Sequence, residues 1–427
     1  MTSLGAVGVF HLRGHEELRA AGFSGNHCAL ALALDGRLEL EALDRRVRAL
    51  DDGMDELRRY PSLDRTLAPV WKQVAPGASR LLVTTSDLDG ESELLEAAVG
   101  LIGEPLPPRA TWQLHVLRGK RHDHVVFRWL HPLTDAHGAN RLVASLGAAL
   151  NEPLPARELR TKTSDELLPA GMRERHAFAS RYFRHVMRLA RRPVVSACGP
   201  AAAREPGAMR AVRLRLSESE SRAFTASLRK RASLSDTSVL LWASARMLDR
   251  ALLRRSLCPI HYLVHVPVSL DSKVERARMF GNNLSMMMLE LDRDALFDER
   301  RAVESLAAQR RDLVREKLDV AMVAALSVTR RLPAPLYSYG MRRPFGGERG
   351  SFVFSNPGAL ELATFGGRPV TDAFTVPAVL VPPGFQVIAT RHAGRISLTL
   401  LFVEAALSVA EALGGLPELA RDLLAGC

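Results

Sequence analysis

The chain has 427 residues, of which 47% are hydrophobic and 25% charged, a composition typical of a soluble globular protein with two or three domains. No apolar run approaches the roughly 20 residues that cross a bilayer, and the N-terminus lacks the basic and apolar segments of a secretory signal, so we expect a cytoplasmic protein. Four scattered cysteines without a C-x-x-C pair argue against a disulfide framework and against a cysteine metal site.

The formal net charge of +11 comes almost entirely from arginine. Such charge suits nucleic acid, an anionic membrane surface or a phosphate-rich small molecule such as coenzyme A, and it also arises from a GC-rich genome alone. Aromatic residues make up only 6%, the basic residues are dispersed, and no finger or RNP-like motif occurs. We therefore expect no nucleic-acid partner.

In the first half, alternating leucines predict a strand at 28–34, and leucine spacing predicts an amphipathic helix at 40–50. A hairpin follows, with strands at 112–116 and 124–130, and a helix is predicted at 139–150. The first half therefore has mixed α and β character.

The middle of the chain joins a basic amphipathic helix at 172–192 to a segment rich in Pro, Gly and Ala at 193–208, the best linker candidate. The helix has the composition of an interfacial helix, although a solvated arginine face is the favoured explanation of its charge. In the second half we predict strands at 261–268, 284–291, 351–355, 385–391 and 396–403, and helices at 237–250, 296–330 and 404–425.

The strand at 124–130 delivers His131 to its C-terminal end, with Asp135 four residues later at the start of a helix. An imidazole with a near-neutral pKa, exposed to a cleft on such a rigid mount, suits proton abstraction from an alcohol or amine. Asp135 also fits a plain helix N-cap, and His131 a hydrogen-bonded strand-end histidine. A metal site is a further alternative, but the histidines nearby match no zinc spacing, and we predict no metal.

This region resembles the H-H-x-x-x-D-G motif of the superfamily that contains chloramphenicol acetyltransferase, condensation domains and acyl-CoA-dependent acyltransferases. His131 matches the second histidine, which is catalytic in the family, and Asp135 matches the aspartate. Leu130 replaces the first histidine and Ala136 the glycine, with Gly138 two places on.

Further segments resemble the same superfamily, in its order, over about 28–405 of the chain. Residues 266–270 and 281–285 resemble the V-P-V-S-L-R and G-N segments of wax ester synthase relatives, and 354–358 resembles an S-N-x-G segment of alcohol acyltransferases. The arginine of V-P-V-S-L-R is Asp271 here. Because that arginine pairs with the motif aspartate in several relatives, Asp135 needs another cation, for which Lys273 and Arg278 are candidates.

The resemblance implies an α/β fold of two chloramphenicol acetyltransferase-like lobes, each a mixed sheet with flanking helices, with a tunnel between them. We expect an N-terminal lobe at 1–192, the linker at 193–208 and a C-terminal lobe at 209–427.

The implied activity is acyl transfer from a coenzyme A or carrier-protein thioester to a hydroxyl or amine by direct attack, in lipid or secondary metabolism. The donor is a substrate, so no tightly bound cofactor is expected. An acyl carrier protein and peripheral membrane contact through 172–192 stay open as partners, and a degenerate condensation-like module that binds an acylated carrier is the alternative. The implied catalytic residues are His131 and Asp135; the implied substrate-binding residues are Gly138, Gly281, Asn282, Ser355 and Asn356.

Overall fold

The protein is described by a computed structural model. It covers residues 2–65, 68–78, 80–88, 90, 93–149, 152, 164–230, 235–270 and 278–425.

The first half is an α/β unit that opens on a helix and ends on a basic helix. Its elements are β1 (Thr2–Ser3), α1 (Ala6–Ala20), β2 (His27–Leu34), α2 (Leu40–Gly53), β3 (Arg59–Leu63), β4 (Pro69–Gln73), β5 (Val83–Asp87), α3 (Leu94–Gly103), β6 (Trp112–Arg118), β7 (Asp123–Leu130), α4 (Ala136–Leu146) and α5 (Met172–Leu189).

The second half repeats this mixed character and ends on a helix. Its elements are α6 (Gly199–Ala202), β8 (Met209–Arg215), α7 (Glu218–Lys230), α8 (Asp236–Arg254), β9 (His261–Ser269), β10 (Leu284–Asp292), α9 (Glu299–Arg315), α10 (Leu318–Thr329), α11 (Ala334–Arg342), β11 (Phe352–Ser355), β12 (Ala359–Leu360), β13 (Thr364–Phe365), β14 (Arg368–Val376), β15 (Phe385–His392), β16 (Arg395–Val403) and α12 (Val409–Leu424).

Two large mixed sheets form the centres of the two halves. The first has the order β13-β14-β2-β7-β6-β5, and the second has the order β10-β9-β11-β15-β16-β8, with β12 paired to β15. A small sheet, β1-β4-β3, lies apart from both. The predicted α/β fold with a mixed sheet and flanking helices in each half is confirmed.

Side-chain size decides how β2 is covered. Its leucines, Leu30 among them, pack in a core with Val47 of α2 and Leu142 of α4. Its alanines, such as Ala31, belong to the other core, together with Ala98 of α3. Because alternate residues of a strand point to opposite faces, the Leu-Ala alternation places β2 between two helical layers.

The first sheet is completed by the second half of the chain. Strand β14 pairs with β2 in antiparallel register, Phe374 lying opposite Ala31. The predicted lobe boundaries stay a prediction, but the lobe at 1–192 does not build its sheet alone, because β13 and β14 supply its edge.

The long helix predicted at 296–330 is two helices, and this prediction is wrong. Lys317 has φ +54°, in the left-handed region, and it separates α9 from α10. A helix cannot continue through a residue in that conformation. Among the described residues, no helix is both long and apolar enough to cross a bilayer.

A half-buried ion pair joins the two large sheets. Arg213 of β8 donates two hydrogen bonds to Asp372 of β14, of 2.6 and 2.9 Å, and lies 4.3 Å from the centroid of the Phe374 ring. Burial raises the pKa of Asp372, but the hydrogen bonds and charge of Arg213 outweigh it, so the net shift is downward.

We expect Arg213→Gln to lower the free energy of unfolding by about 1–2 kcal/mol at pH 7, because it removes the two short charged hydrogen bonds of a half-buried carboxylate and leaves only Arg215, 3.5 Å away. A carboxyl with a lowered folded pKa stabilises the protein above its unfolded pKa of about 3.9, and this stabilisation is lost as pH falls through the folded value. The free energies of unfolding of wild type and variant, measured by urea denaturation, should therefore differ less below about pH 4.

The matched control is Arg210→Gln, which breaks the exposed pair between Arg210 and Glu404, 2.9 Å apart. We expect a change below about 1 kcal/mol there, because solvent screens exposed pairs. Equal losses in the two variants would contradict the role of Arg213.

Candidate active site

The end of β7 holds His131 through backbone contacts on both sides. Leu130 lies opposite His27 of β2, and the amide of His131 donates to the carbonyl of Asn26 at 3.0 Å. The amide of Leu133 then donates to the carbonyl of Leu130 at 2.9 Å, closing a turn. His131 is half-buried at this fixed position and lines a mostly apolar cavity.

Asp135 uses its two carboxylate oxygens for different tasks. One accepts from the amide of Gly138 at 3.0 Å and so caps α4, as the N-cap alternative had it. The other accepts from Arg278 at 2.9 Å, and both side chains are almost fully buried. Of the two candidate cations, Arg278 is therefore the one that pairs with Asp135. Asp271 and Lys273 lie outside the described residues.

Residues 278–282, which we call the docking segment, lie against the His131 loop, residues 131–138. The side-chain amide of Asn282 donates to the carbonyls of His131 and Pro132, at 2.9 and 3.2 Å. The amide of Gly281 donates to the carbonyl of Leu133 at 2.8 Å, and Thr134 forms a β-bridge with Gly281. The two halves of the chain therefore share a short stretch of backbone pairing beside His131.

Two glycines make this close approach possible. Gly281 has φ +83°, a conformation that favours glycine. A Cβ at Gly138 would collide with the hydroxyl of Thr134 and with the backbone carbonyl of Met279. Both glycines thus act on the backbone rather than towards the cavity.

The cavity beside His131 is lined by both halves of the chain. The first half contributes α1, β2 and the His131 loop; the second contributes residues from β9, β10, α10, α11, β11 and β15. Of the residues predicted from the motifs, His131, Asp135, Ser355 and Asn356 line it, whereas Gly138, Gly281 and Asn282 do not.

Ser355 and Asn356, at the end of β11, both line the cavity but differ in the hydrogen bonds of their side chains. The amide group of Asn356 donates to the hydroxyl of Thr237 in α8 at 3.0 Å, and its oxygen accepts from the amide of Gly358 at 3.3 Å. The hydroxyl of Ser355 makes no hydrogen bond to the described residues. Ser355 is therefore the better placed of the two to donate to a substrate oxygen.

The imidazole of His131 is held in its neutral form. Burial lowers its pKa, and its own backbone carbonyl, the charge of Asp135 and Asn282 partly offset this shift. Its Nδ1 is buried and makes no hydrogen bond of standard geometry to the described residues, which leaves Nε2 as the ring nitrogen that can meet a substrate. An imidazole that is neutral at physiological pH is able to accept a proton.

His11 of α1 stacks on His131, with ring centroids 3.6 Å apart and planes 12° from parallel. Burial and the neighbouring His131 lower the pKa of His11 well below its usual range, so the stack consists of two neutral rings. The sequence reasoning missed His11, since no motif contains it. A helical pattern starting near residue 6 would have been the only signal.

Neither protein-family models nor curated proteins give a match to this sequence. Solved structures do. A trichothecene 15-O-acetyltransferase from Fusarium sporotrichioides has a TM-score of 0.71 at 13% identity, over 100% of this chain and 95% of its own. The first condensation domain of the calcium-dependent antibiotic synthetase, in complex with a substrate analogue, has a TM-score of 0.71 at 15% identity, over 96% and 95%.

A starter condensation domain of rhizomide synthetase, a double mutant in complex with C8-CoA, has a TM-score of 0.66 at 13% identity, over 100% of this chain and 95% of its own. The chain therefore has the fold that these acetyltransferase and condensation-domain structures share, as the motifs predicted. The finer resemblance to wax ester synthases stays a prediction.

We expect Gly138→Ala to reduce stability by about 1–3 kcal/mol, because the added methyl group forces the start of α4 away from the docking segment. The matched control is Gly100→Ala in α3, where a Cβ meets nothing within 4 Å. That change should be neutral or stabilising by up to about 1 kcal/mol. Thermal denaturation of both variants checks the difference, and equal melting temperatures would contradict the close approach.

Proposed function

We propose that this protein is an acyltransferase that moves an acyl group from a thioester to a hydroxyl or amine acceptor, with His131 as general base. The observation that carries this proposal is the placement of a neutral imidazole at the rigid end of β7, facing a cavity lined by both halves of the chain. The likeness in fold to an acetyltransferase and to condensation domains supports acyl transfer.

In the proposed reaction, Nε2 of His131 takes the proton of the acceptor as its oxygen or nitrogen attacks the thioester carbonyl. The tetrahedral intermediate then collapses with cleavage of the carbon–sulfur bond, and the imidazolium returns its proton to the departing thiolate. Such general-base assistance contributes about 10²–10⁴ in rate. No covalent acyl-enzyme is needed, because the acyl group passes directly to the acceptor.

The oxyanion of the intermediate needs hydrogen-bond donors, which are often the larger contribution. The hydroxyl of Ser355 serves this purpose in our proposal, and Asn356 positions the end of β11 through Thr237. Asp135, Gly138, Gly281 and Asn282 act by positioning the His131 loop. Asp135 carries a structural ion pair and does not take part in proton transfer.

The donor in this proposal is an acyl-CoA or an acyl-phosphopantetheine carrier, since a neighbouring structure is in complex with C8-CoA. Peripheral contact with an anionic membrane through α5 also remains part of the proposal. The exposed face of α5 carries the apolar residues Phe183 and Met187, each followed directly by an arginine, Arg184 or Arg188. Apolar and cationic side chains together suit an anionic lipid surface.

We expect His131→Ala to keep the fold and to lower acyl transfer by about 10²-fold or more, because the variant has no base at the reacting atoms. The measurement is release of free thiol from a panel of acyl-CoAs, given with alcohol and amine acceptors. The matched control is His122→Ala, a half-exposed histidine that lies at a turn near Asp35. Unchanged turnover in His131→Ala, with normal folding, would rule out its role as the base.

The pH dependence gives an independent check of the base. Burial lowers the pKa of His131 from its ordinary value of 6.5. The neutral imidazole is therefore the main form at pH 6.5, and it is lost only as the pH falls through the lowered pKa. We expect kcat/KM to be level through neutral pH and to fall on the acid side with a midpoint below about 6.5. An acid limb centred above pH 7 would contradict a desolvated imidazole base.

The alternative is a condensation-like module that binds an acylated carrier protein without transfer to a free acceptor. Leu130, in place of the first motif histidine, and the condensation domains among the structural neighbours favour it. The same thiol-release panel separates the two functions. No release with any acceptor, together with binding of an acylated carrier, would support the alternative.

A further inference from the structure

Helix α1 runs along the cavity and marks a second position in it. Val7, Phe10, His11, Gly14 and Glu17 line the cavity from one side of the helix. His11 stacks on His131, and Glu17 lies six residues further along the chain. At 1.5 Å per residue, Glu17 is about 9 Å along the helix axis from His11, whose ring stacks on that of His131.

A buried ion cluster surrounds Glu17. Its carboxylate pairs with both Arg342 and Arg349, and Arg349 is only 7% exposed. The nearby Glu348 accepts from the hydroxyl and the amide of Ser196 at 2.8 and 3.3 Å, and its charge also acts on Arg342. Arg342 and Arg349 both pair with Glu17, and burial lowers the pKa of each guanidinium to about 10.

Tyr337 of α11 lines the same cavity and is 6% exposed, yet its hydroxyl has no hydrogen-bond partner among the described residues. In the same part of the chain, the Nε of Arg349 is also buried without a hydrogen-bond partner. A buried polar group without a partner destabilises a fold by about 1–3 kcal/mol, so such groups call for an explanation. Here both groups belong to residues that line one cavity, which indicates a ligand.

We propose that Tyr337 and Arg349 form a subsite for a carboxylate of the substrate, in the part of the cavity near Glu17, which lies six residues along α1 from the His11 that stacks on His131. Arginine only donates hydrogen bonds, and the tyrosine hydroxyl has its proton to give, so the matching ligand group is one that only accepts. A carboxylate meets this requirement, and its negative charge is attracted by the guanidinium of Arg349. This inference rests on the proposed function, because it names the substrate class of that site.

The spacing sets the size of the substrate. An extended chain advances roughly 3.5 Å for every three bonds, so the roughly 9 Å of helix axis between His11 and Glu17 sets a substrate length of roughly eight bonds in our proposal. Either partner of the reaction could carry this group: a donor with a dicarboxylic acyl chain, or a hydroxy acid as acceptor. The chemistry at the subsite is the same in both.

The test compares the binding of octanoate and of octanamide to the full chain by titration calorimetry. These probes have the same length, but the amide presents donors to a site that is made of donors. We expect octanoate to bind at least about tenfold more tightly, and Tyr337→Phe to weaken octanoate about tenfold while leaving octanamide unchanged. Tyr337→Phe should fold with an unchanged or higher melting temperature, since the hydroxyl it removes has no partner.

The matched control is Thr399→Val, which removes another buried hydroxyl without a partner, from β16 and outside the cavity lining. It should leave the binding of both probes unchanged. Equal affinity for octanoate and octanamide, absence of octanoate binding at millimolar concentration, or an unchanged preference in Tyr337→Phe would each overturn the subsite.

Two turnover arms identify which substrate carries the carboxylate. A preference for suberyl-CoA over octanoyl-CoA assigns it to the donor, and a preference for 8-hydroxyoctanoate over 1-octanol assigns it to the acceptor. His131→Ala separates this proposal from the proposed function: the variant should lose transfer but keep its preference for octanoate. Loss of transfer alone tests the base, and loss of the preference alone tests the subsite.

Discussion

The buried ion pair between Asp135 and Arg278 is the interaction on which the arrangement of this site depends. It joins the His131 loop of one half of the chain to the docking segment of the other. Burying two charges gives little net stability, because desolvation offsets their attraction, but breaking such a pair is strongly destabilising. The main effect of this ion pair is geometric, because it fixes the His131 loop against the docking segment beside the cavity.

The same region shows how positioning and chemistry are divided among neighbouring residues. The side-chain amide of Asn282 donates to the backbone carbonyls of His131 and Pro132. The backbone amide of Gly281 donates to the carbonyl of Leu133. His131 then presents its ring to the cavity with few polar neighbours and with His11 stacked against it. Desolvation sets the pKa of this imidazole, and the stacked His11 ring fixes the plane of the imidazole, before any substrate binds.

Local pattern was sufficient where side chains pack into an apolar core. The alternation in β2 and the hairpin of β6 and β7 predicted those strands, and the motif around His131 predicted the fold. It failed for α1, whose cavity face includes His11, Gly14 and Glu17 instead of an apolar stripe. It also failed for β14, in which Arg368, Pro369 and Asp372 mask a strand that pairs with residues over 300 positions earlier. Local rules fail most often at functional sites and at distant pairings.

The central claim is that a thioester carbonyl lies beside the imidazole of His131 in a cavity shared by the two halves. A crystal structure with a stable acyl-CoA analogue, in which a methylene-linked ketone replaces the thioester, tests it most directly. The account predicts the ketone carbon near Nε2 of His131, with its oxygen towards Ser355. An analogue bound with its ketone outside this cavity, or on the far side of the docking segment from His131, would contradict it.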